Sequence, residues 1–344
     1  MEFPSNAVIG ELLAVESDRT QDTFRRRALR RAARATLTWN AEVRDLVAQG
    51  EPLTTLPRVG PWVASEIERL SADAQDIRPN PLRAGFLTWT QVEPAAAHLL
   101  PRVKADLQTH TLWSDGHSTV LDMASAAQAR GYSYLLITDH SKGLPIANGL
   151  DEDRMRVERA ELEQVAAQLS FRLLWGIEMN LDLDGSGDME PSLLDELDVI
   201  LGAFHSSLRK RDDQTERYLA AVRNPWVDVL AHPRGRMYNI RIGLSADWPR
   251  VFEEAARLDK AIEVDGYADR QDIDLELLQS ALDSGVRISL GSDSHHVVDL
   301  DYMTFSAGAV MLASLPEERI INCMPADELV AWARQHRRSQ ARRR

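Results

Sequence analysis

Histidines and carboxylates recur in this sequence just after short apolar segments. Five of the nine histidines directly follow a predicted strand, and three acidic residues accompany them. The histidines are His110, His140, His205, His232 and His295, and the acids are Asp115, Glu178 and Asp293. A lone histidine at a strand end more often makes a structural hydrogen bond than binds a metal. So many in one kind of position make coincidence implausible and predict a metal centre.

Mixed imidazole and carboxylate ligands suit Zn, Mn or Fe. The set exceeds one tetrahedral shell, so it predicts two or three divalent ions. Clustered ions suit the hydrolysis of phosphate esters, because one ion activates water while others neutralise charge on the phosphoryl group and the leaving oxygen. We therefore expect a metal-dependent hydrolase that acts on phosphate ester bonds.

The elements that must position these residues follow Pro101, where short apolar segments alternate with amphipathic helical ones. The predicted strands are Val103–Leu107, Tyr134–Thr138, Arg172–Gly176, Val199–Ala203, Val227–Ala231, Ala261–Val264 and Arg287–Leu290. This alternation predicts an α/β fold with parallel strands, and seven buried strands favour a closed barrel over an open sheet. The carboxyl ends of barrel strands converge on one rim, so residues distant in sequence meet there.

Residues 1–75 are predicted to form a small helical domain. A turn that contains Gly60 separates two short helical segments, which indicates a helix-hairpin-helix motif. The apolar residues spaced to pack around it are Leu56, Val59, Val63 and Ile67. The glycine lets the backbone approach a phosphate closely, and the next helix offers its N-terminal amides to the anion. A plain helical turn in a small bundle is the alternative.

Two segments are strongly basic although the formal net charge is -13. The first contains Arg25, Arg26, Arg27, Arg30, Arg31 and Arg34, and the second is the C-terminal tail, 337–344. A DNA-binding surface and a solvated helix face both remain open for the first segment, whereas the second is typical of a frayed terminus. The acidic net charge argues against non-specific coating of nucleic acid.

Residues 76–101 contain several prolines and little periodicity, which predicts a linker, and the barrel then covers 102–336. The apolar segments are too short to cross a bilayer, and the N-terminus lacks the pattern of a signal peptide. We therefore expect a cytoplasmic protein without membrane contact. Cys323 is the only cysteine, which excludes an intrachain disulfide and a cysteine-based zinc site.

Four segments of the predicted barrel resemble the PHP (polymerase and histidinol phosphatase) domain, and in particular that of bacterial family X DNA polymerases. They are 106–116, 137–150, 231–236 and 291–295. Residues 24–70 resemble the small DNA-binding domain that begins those polymerases, whereas the polymerase core has no counterpart. The resemblance implies a distorted seven-stranded β/α barrel preceded by a small all-α helix-hairpin-helix domain.

The resemblance also implies a three-metal site. His110, Glu178 and Asp293 would hold one ion, and Glu178 would bridge to a second ion held with His205 and His232. Asp115, His140 and His295 would hold the third. Gln108 stands where the family has a histidine, and its amide oxygen is a weaker ligand than imidazole. Loose binding of the first ion, its recruitment with substrate and its absence all stay open.

The activity that the resemblance implies is hydrolysis of DNA phosphodiesters, by a 3′→5′ exonuclease or by processing of 3′ ends or abasic sites in DNA repair. The predicted DNA contacts are Val59, Gly60, Arg25, Arg26 and Arg30. Lys142, Arg236 and Arg270 are candidates for contact with a phosphate near the rim, and solvated surface charge is the alternative. Two further hypotheses stay open, a phosphomonoesterase for a small molecule such as histidinol phosphate and a metal-poor scaffold that binds DNA.

Overall fold

The structure is a computed structural model that describes residues 3–72 and 79–341, except the side chains of 336 and 338–341. The chain divides into two compact units. Unit 1 comprises Met1–Pro94 and Met237–Ile242, and unit 2 comprises Ala95–Arg236 and Gly243–Arg344. The predicted domain boundary at residue 75 lies outside the described residues. No described helix is long and apolar enough to span a membrane.

Unit 1 contains a small bundle of helices. They are α1 (Asn6–Arg19), α2 (Thr23–Ala35), α3 (Val43–Gln49) and α4 (Pro61–Ala72), with 3₁₀ turns at Thr36–Thr38 and Leu53–Thr55. Asp22 begins α2, because its carboxylate accepts hydrogen bonds from the backbone of Phe24 and Arg25. Leu29 and Trp39 are fully buried in the core, and the Trp39 indole donates to a backbone carbonyl 3.0 Å away.

The predicted linker differs from the structure, which places helix α5 at Trp89–Leu99. Thr88 and Gln91 form half of a capping box, since the Gln91 side chain accepts the Thr88 backbone N–H at 2.8 Å. Val92 and Leu99 are fully buried on this helix. The prolines of the segment concealed the helix, but burial of its apolar side offsets the cost of Pro94 inside it.

Unit 2 alternates strands and helices. The strands are β1 (Tyr134–Ile137), β2 (Arg172–Asn180), β3 (Val199–Ala203), β4 (Val229–Leu230), β5 (Ala261–Asp265) and β6 (Arg287–Gly291). The helices are α6 (Val120–Ala129), α7 (Glu152–Leu169), α8 (Pro191–Leu194), α9 (Thr215–Arg223), α10 (Trp248–Arg257), α11 (Leu275–Ser284), α12 (Met303–Leu312) and α13 (Ala326–Ala341). All six strands are parallel and pair in chain order, which makes a curled half-barrel.

Six of the seven predicted strands are confirmed, and the first, Val103–Leu107, is not a strand. This segment accepts backbone hydrogen bonds from β1 on one side. On its other side a side chain replaces the backbone ladder, since the Asn322 amide donates to the carbonyls of Ala105 at 3.0 Å and Leu290 at 2.7 Å. The segment thus lies between the two edge strands without regular pairing to β6.

The core of unit 2 is filled by the strands themselves. Every residue of β1, β3 and β5 is buried, as expected for parallel strands covered on both faces. Leu136, Leu174, Leu201 and Val229 from four neighbouring strands join one cluster. This cluster holds the strands in register, and their register decides which side chains leave the sheet together at the carboxyl ends.

The predicted basic tail also differs from the structure at its start, because Arg337 belongs to α13 and is only 7% exposed. Its guanidinium donates to the carbonyls of Leu194 at 3.1 Å and Asp198 at 2.7 Å, and it pairs with Asp228 at 3.2 Å. Arg337 is therefore a structural residue of unit 2. Residues 342–344 lie outside the described residues.

Candidate metal centre

The predicted metal ligands lie at the carboxyl ends of the strands of unit 2. Glu178 is inside β2, and His205 and His232 each come two residues after the end of a strand. His232 and Asp293 have φ angles of 25° and 52°, in the left-handed region that residues other than glycine rarely adopt. Such backbone strain concentrates at functional sites, where it turns a side chain in a required direction.

Glu178 is the central carboxylate of the cluster and is fully buried. Its Oε1 lies 2.9 Å from His205 Nε2 and 2.8 Å from His232 Nε2. Its Oε2 lies 3.2 Å from His110 Nε2 and 3.5 Å from His140 Nδ1. Four imidazoles from separate segments therefore surround one carboxylate.

Asp293 and Asp115 also belong to the cluster. Asp293 Oδ1 lies 3.2 Å from His110 Nε2. Asp115 Oδ1 lies 3.5 Å from His140 Nε2 and 3.4 Å from His295 Nε2. The His110 ring stacks on the His140 ring and on the His295 ring, with a centroid distance of 4.4 Å to each. The structure thus brings all eight predicted ligands into one connected group.

Three sets among the described residues place one ligand atom per residue within 4.8 Å of one another. They are His110, Glu178 and Asp293; His110, Asp115, His140 and His295; and His140, Glu178 and His205. The first set has the composition expected for the first ion, and the second contains the three residues expected for the third ion. His232 is outside these sets, although it contacts Glu178.

The donor atoms of this cluster fit divalent ions. Both ring nitrogens of His110 and Nδ1 of His140 are buried without a hydrogen-bond partner of acceptable geometry. Buried polar atoms normally have a partner, so these nitrogens lack the one that a structural role would give them. Imidazoles grouped with carboxylates are ligands for Zn, Mn and Fe, and the cluster is large enough for several ions.

The electrostatics of the cluster keep its two central carboxylates ionised. Burial acts to raise the pKa of Glu178, but His140 and His232 outweigh it and hold the pKa well below its usual range. Burial likewise acts to raise the pKa of Asp293, and Arg270 and His110 lower it by more. Both carboxylates therefore stay ionised although they are buried.

Asn180 orients His205 and was missed in the sequence analysis. His205 Nδ1 lies 3.1 Å from Asn180 Oδ1, and this hydrogen bond assigns the proton to Nδ1 and leaves Nε2 to face Glu178. The strand pattern contains the signal that could have found it, because residues two apart on β2 point to the same face.

Gln108, the possible weak metal ligand, lies beside Glu178. Its Nε2 donates to Glu178 Oε2 at 2.9 Å, and its Oε1 is buried without a hydrogen-bond partner. The amide in this orientation presents a donor to the central carboxylate. The residue therefore acts on the charge of Glu178 directly.

The three candidates for phosphate contact have different surroundings. Arg270 is 28% exposed, and its Nη1 lies 2.9 Å from Asp293 Oδ2. Arg236 is only 3% exposed and pairs with Asp274 at 2.7 Å. Lys142 is exposed and pairs with a glutamate at 2.7 Å. Of the three, Arg270 is the one that contacts a predicted ligand.

Unit 1 presents part of the predicted DNA-binding set at its surface. Arg25 and Arg30 are exposed and Arg26 is half-buried. The Val59 side chain is buried in the core, whereas Gly60 is exposed, and a Cβ placed on it would meet nothing within 4 Å. A 3₁₀ turn at Leu53–Thr55 precedes Gly60, where the predicted motif has its first helix.

A basic loop after His205 was also missed. Arg209, Lys210 and Arg211 are all exposed, and they come four to six residues after that histidine. A segment of that length reaches at most about 20 Å. Their proximity in sequence to His205 was the available signal.

Comparison with models of known protein families finds no match. The chain is similar to the DNA polymerase/3′-5′ exonuclease PolX of Bacillus subtilis (strain 168), at 31% identity over 239 residues, which cover 69% of this chain and 42% of PolX. It therefore spans less than half of that relative.

The chain is also similar to a probable phosphatase of Acetivibrio thermocellus, at 31% identity over 204 residues, which cover 55% of this chain and 78% of the phosphatase. One similar solved structure is the histidinol phosphate phosphatase of Lactococcus lactis, which was complexed with Zn, L-histidinol and phosphate. The alignment has a TM-score of 0.48 and 17% identity, and it covers 62% of this chain and 95% of that chain. The chain therefore belongs to the PHP-type family of these bacterial probable phosphatases, and it is homologous to the PHP-containing PolX.

Proposed function

We propose that this chain hydrolyses DNA phosphodiesters with ions bound at the Glu178 cluster. Its family consists of metal-dependent hydrolases of phosphate esters, so the proposal concerns the substrate and the residues that act on it. The observation that carries the assignment of the acting residues is the convergence of four imidazoles on Glu178, with Asp293 and Asp115 beside them.

Two or three divalent ions, Zn, Mn or Fe, would be held by this cluster. We assign His110, Glu178 and Asp293 to one ion; Glu178, His205 and His232 to a second; and Asp115, His140 and His295 to a third. When bound, the ions supply an activated water and neutralise charge on the phosphoryl group.

Arg270 is the residue of this chain that we assign to the phosphoryl oxygens. Burial acts to lower its pKa, but Asp293 and Asp265 raise it further, so the guanidinium stays charged. Only Nη1 contacts Asp293, and the side chain is partly exposed, which leaves N–H groups to donate to substrate. Contact with Asp293 fixes the guanidinium next to the cluster.

Two basic surfaces support DNA as the substrate. In unit 1, helix α2 carries Arg25, Arg27 and Arg31 as exposed cations. In unit 2, the basic loop defined by Arg209, Lys210 and Arg211 follows a predicted ligand. Cations that neutralise backbone phosphates supply the sequence-independent part of nucleic-acid affinity. The 3′-5′ exonuclease in the name of the homologous PolX agrees with this choice.

A phosphomonoesterase for a small molecule is the second candidate. It is favoured by the probable phosphatase of Acetivibrio thermocellus, of which this chain covers 78%. A small phosphate ester would need the cluster and Arg270 but neither basic surface. A metal-poor scaffold, the third hypothesis, has only the replacement of histidine by Gln108 in its favour.

The test is a substrate panel with the Mn-loaded protein. Single-stranded, nicked, gapped and abasic DNA are compared with histidinol phosphate, and Glu178→Gln serves as the control for contaminating nuclease. We expect the higher kcat/KM on DNA, with two or more equivalents of metal per chain. Turnover of histidinol phosphate alone would favour the second candidate, and absence of bound metal after metal-replete expression would favour the scaffold.

A further inference from the structure

Arg217, in helix α9, is a buried cation without an anionic partner among the described residues. It is 6% exposed, and its Nε and Nη1 are buried without a hydrogen-bond partner. None of the described carboxylates forms an ion pair with it, and burial lowers its pKa from the ordinary value. Burying an unpaired charge costs several kcal/mol in typical cases, so Arg217 does not stabilise the fold in the way a surface arginine can.

The contacts that Arg217 does make are with the two neighbours of His205 in the sequence. Its guanidinium carbon lies 3.9 Å from the centre of the Phe204 ring. Its Nη2 donates to the carbonyl oxygen of Ser206 at 2.9 Å. The planar guanidinium of Arg217 thus contacts both the Phe204 side chain, which precedes His205, and the carbonyl of Ser206, which follows it.

The backbone at His205 needs such support. Strand β3 ends at Ala203, so His205 lies beyond the last ladder pair. Ser206 and Ser207 are exposed, and Ser207 has a φ of 56°, in the left-handed region. The loop that leaves the strand is therefore not fixed by the sheet. The imidazole must nevertheless hold Nε2 2.9 Å from Glu178 Oε1.

We propose that Arg217 is a positioning residue that fixes the backbone on both sides of His205 and thereby sets the affinity for the ion held by Glu178 and His205. The inference rests on the proposed metal centre and deepens it. A guanidinium suits the task because its flat face packs on an aromatic ring while its edge donates to a carbonyl. A lysine ammonium offers a donor but no flat face.

Arg319 provides a matched control with the opposite role. Its guanidinium donates to the carbonyls of Ala281 at 2.7 Å, Leu282 at 2.9 Å and Val286 at 2.7 Å. These carbonyls lie at the end of α11 and just before β6, at the amino ends of the strands. Arg319 therefore satisfies buried carbonyls of the fold and contacts no predicted ligand.

The experiment compares full-length Arg217→Met, Arg217→Lys and Arg319→Met with the unmodified protein after removal of metal by a chelator. Calorimetric titration with Mn gives the affinity, and the thermal unfolding of the metal-free protein gives Tm. We expect Arg217→Met to weaken binding of one Mn ion by about tenfold or more, as loss of outer support for a ligand typically does. Its metal-free Tm should equal or exceed that of the unmodified protein, because a buried unpaired charge is removed.

Arg217→Lys should recover part of the Mn affinity, since the ammonium can still donate to Ser206. Arg319→Met should lower the metal-free Tm and leave the Mn affinity unchanged. Unchanged Mn binding in Arg217→Met would overturn the inference, and so would failure of that variant to fold. An unmodified protein that binds no Mn contradicts the proposed metal centre itself, which is a separate result.

Discussion

The amide nitrogen of Gln108 lies 2.9 Å from Oε2 of Glu178, so the residue at the position of a family histidine donates a hydrogen bond to the central carboxylate. This bond occupies a lone pair that an ion would otherwise use. An imidazole at the same place offers a stronger ligand and can present a lone pair in place of a donor.

Gln108→His should therefore raise metal occupancy by up to one ion per chain, with a matching gain in activity. Metal content after dialysis against limiting Mn measures the first, and kcat on the preferred substrate measures the second. Gln108→Ala is the control, because it removes the donor without adding a ligand. Lower metal occupancy in Gln108→His would show that glutamine supports metal binding at this position better than the histidine of the family does.

Glu178→Gln should lower hydrolysis by more than 100-fold while the protein stays folded. The change removes the charge that four imidazoles share, and it leaves an amide in nearly the same volume. Initial rates with Mn and a far-ultraviolet dichroism spectrum test both parts.

Glu158→Gln is the matched control for this prediction. Glu158 is equally buried on α7, and burial first and Asp139 second raise its pKa well above the usual value. A pKa shifted in this direction favours the neutral acid, and Oε2 of Glu158 accepts a hydrogen bond from the Trp175 indole at 2.9 Å. The amide should preserve that contact and the activity. Equal losses in the two variants would mean that Glu178 serves the fold rather than the reaction.

The sequence was sufficient to predict where six strands lie and which residues collect at their ends. Buried parallel strands are continuous apolar segments, and their carboxyl ends are followed by the polar residues of the site, so both signals are local. Residues such as Glu178 and Asp293 were therefore identified without knowledge of contacts.

What the sequence did not reveal depends on contacts between distant residues. The first predicted strand fails because Asn322, more than two hundred positions away, inserts its amide between Ala105 and Leu290. The role of Arg217 was missed for the same reason, since nothing in the neighbouring sequence indicates that this helical arginine packs on Phe204. Such long-range side-chain contacts leave no periodic pattern for sequence analysis to detect.

Gly60→Ala should weaken DNA binding by about tenfold, or about 1.4 kcal/mol, without changing Tm. The added methyl group would meet nothing within 4 Å, so it does not disturb unit 1. It would obstruct a phosphate that approaches the hairpin closely. Fluorescence anisotropy with labelled DNA measures the affinity, and Ser65→Ala on α4 is the control. DNA affinity equal to that of the unmodified protein would argue against a phosphate contact at this hairpin.

A point variant is preferable here to deletion of the N-terminal residues. Met237–Ile242 belongs to unit 1, where Arg83 lies 2.6 Å from Asn239 and the Phe86 ring meets Tyr238 edge-on at 5.2 Å. Deletion would expose Tyr238 and disturb the loop that begins at His232. Loss of activity in a truncated chain would then not report on DNA binding alone.

The basic loop should contribute to DNA binding through charge alone. Replacing Arg209, Lys210 and Arg211 together by alanine removes up to three phosphate contacts. The slope of log K against log salt for single-stranded DNA should then become shallower by about 2, because each contact contributes about 0.7. Hydrolysis of p-nitrophenyl phosphate should be unchanged, since a small ester does not reach beyond the cluster.

The control for net charge is a triple alanine variant of Arg102, Arg172 and Arg287. Arg172 and Arg287 begin β2 and β6, so they lie at the end of the strands opposite the metal cluster. The control carries the same change in charge, and its salt slope should match that of the unmodified protein. If both triple variants shift the slope equally, the protein attracts DNA by overall charge and the basic loop has no special part. If neither variant shifts the salt slope, the DNA strand that is cut does not contact the basic loop after His205.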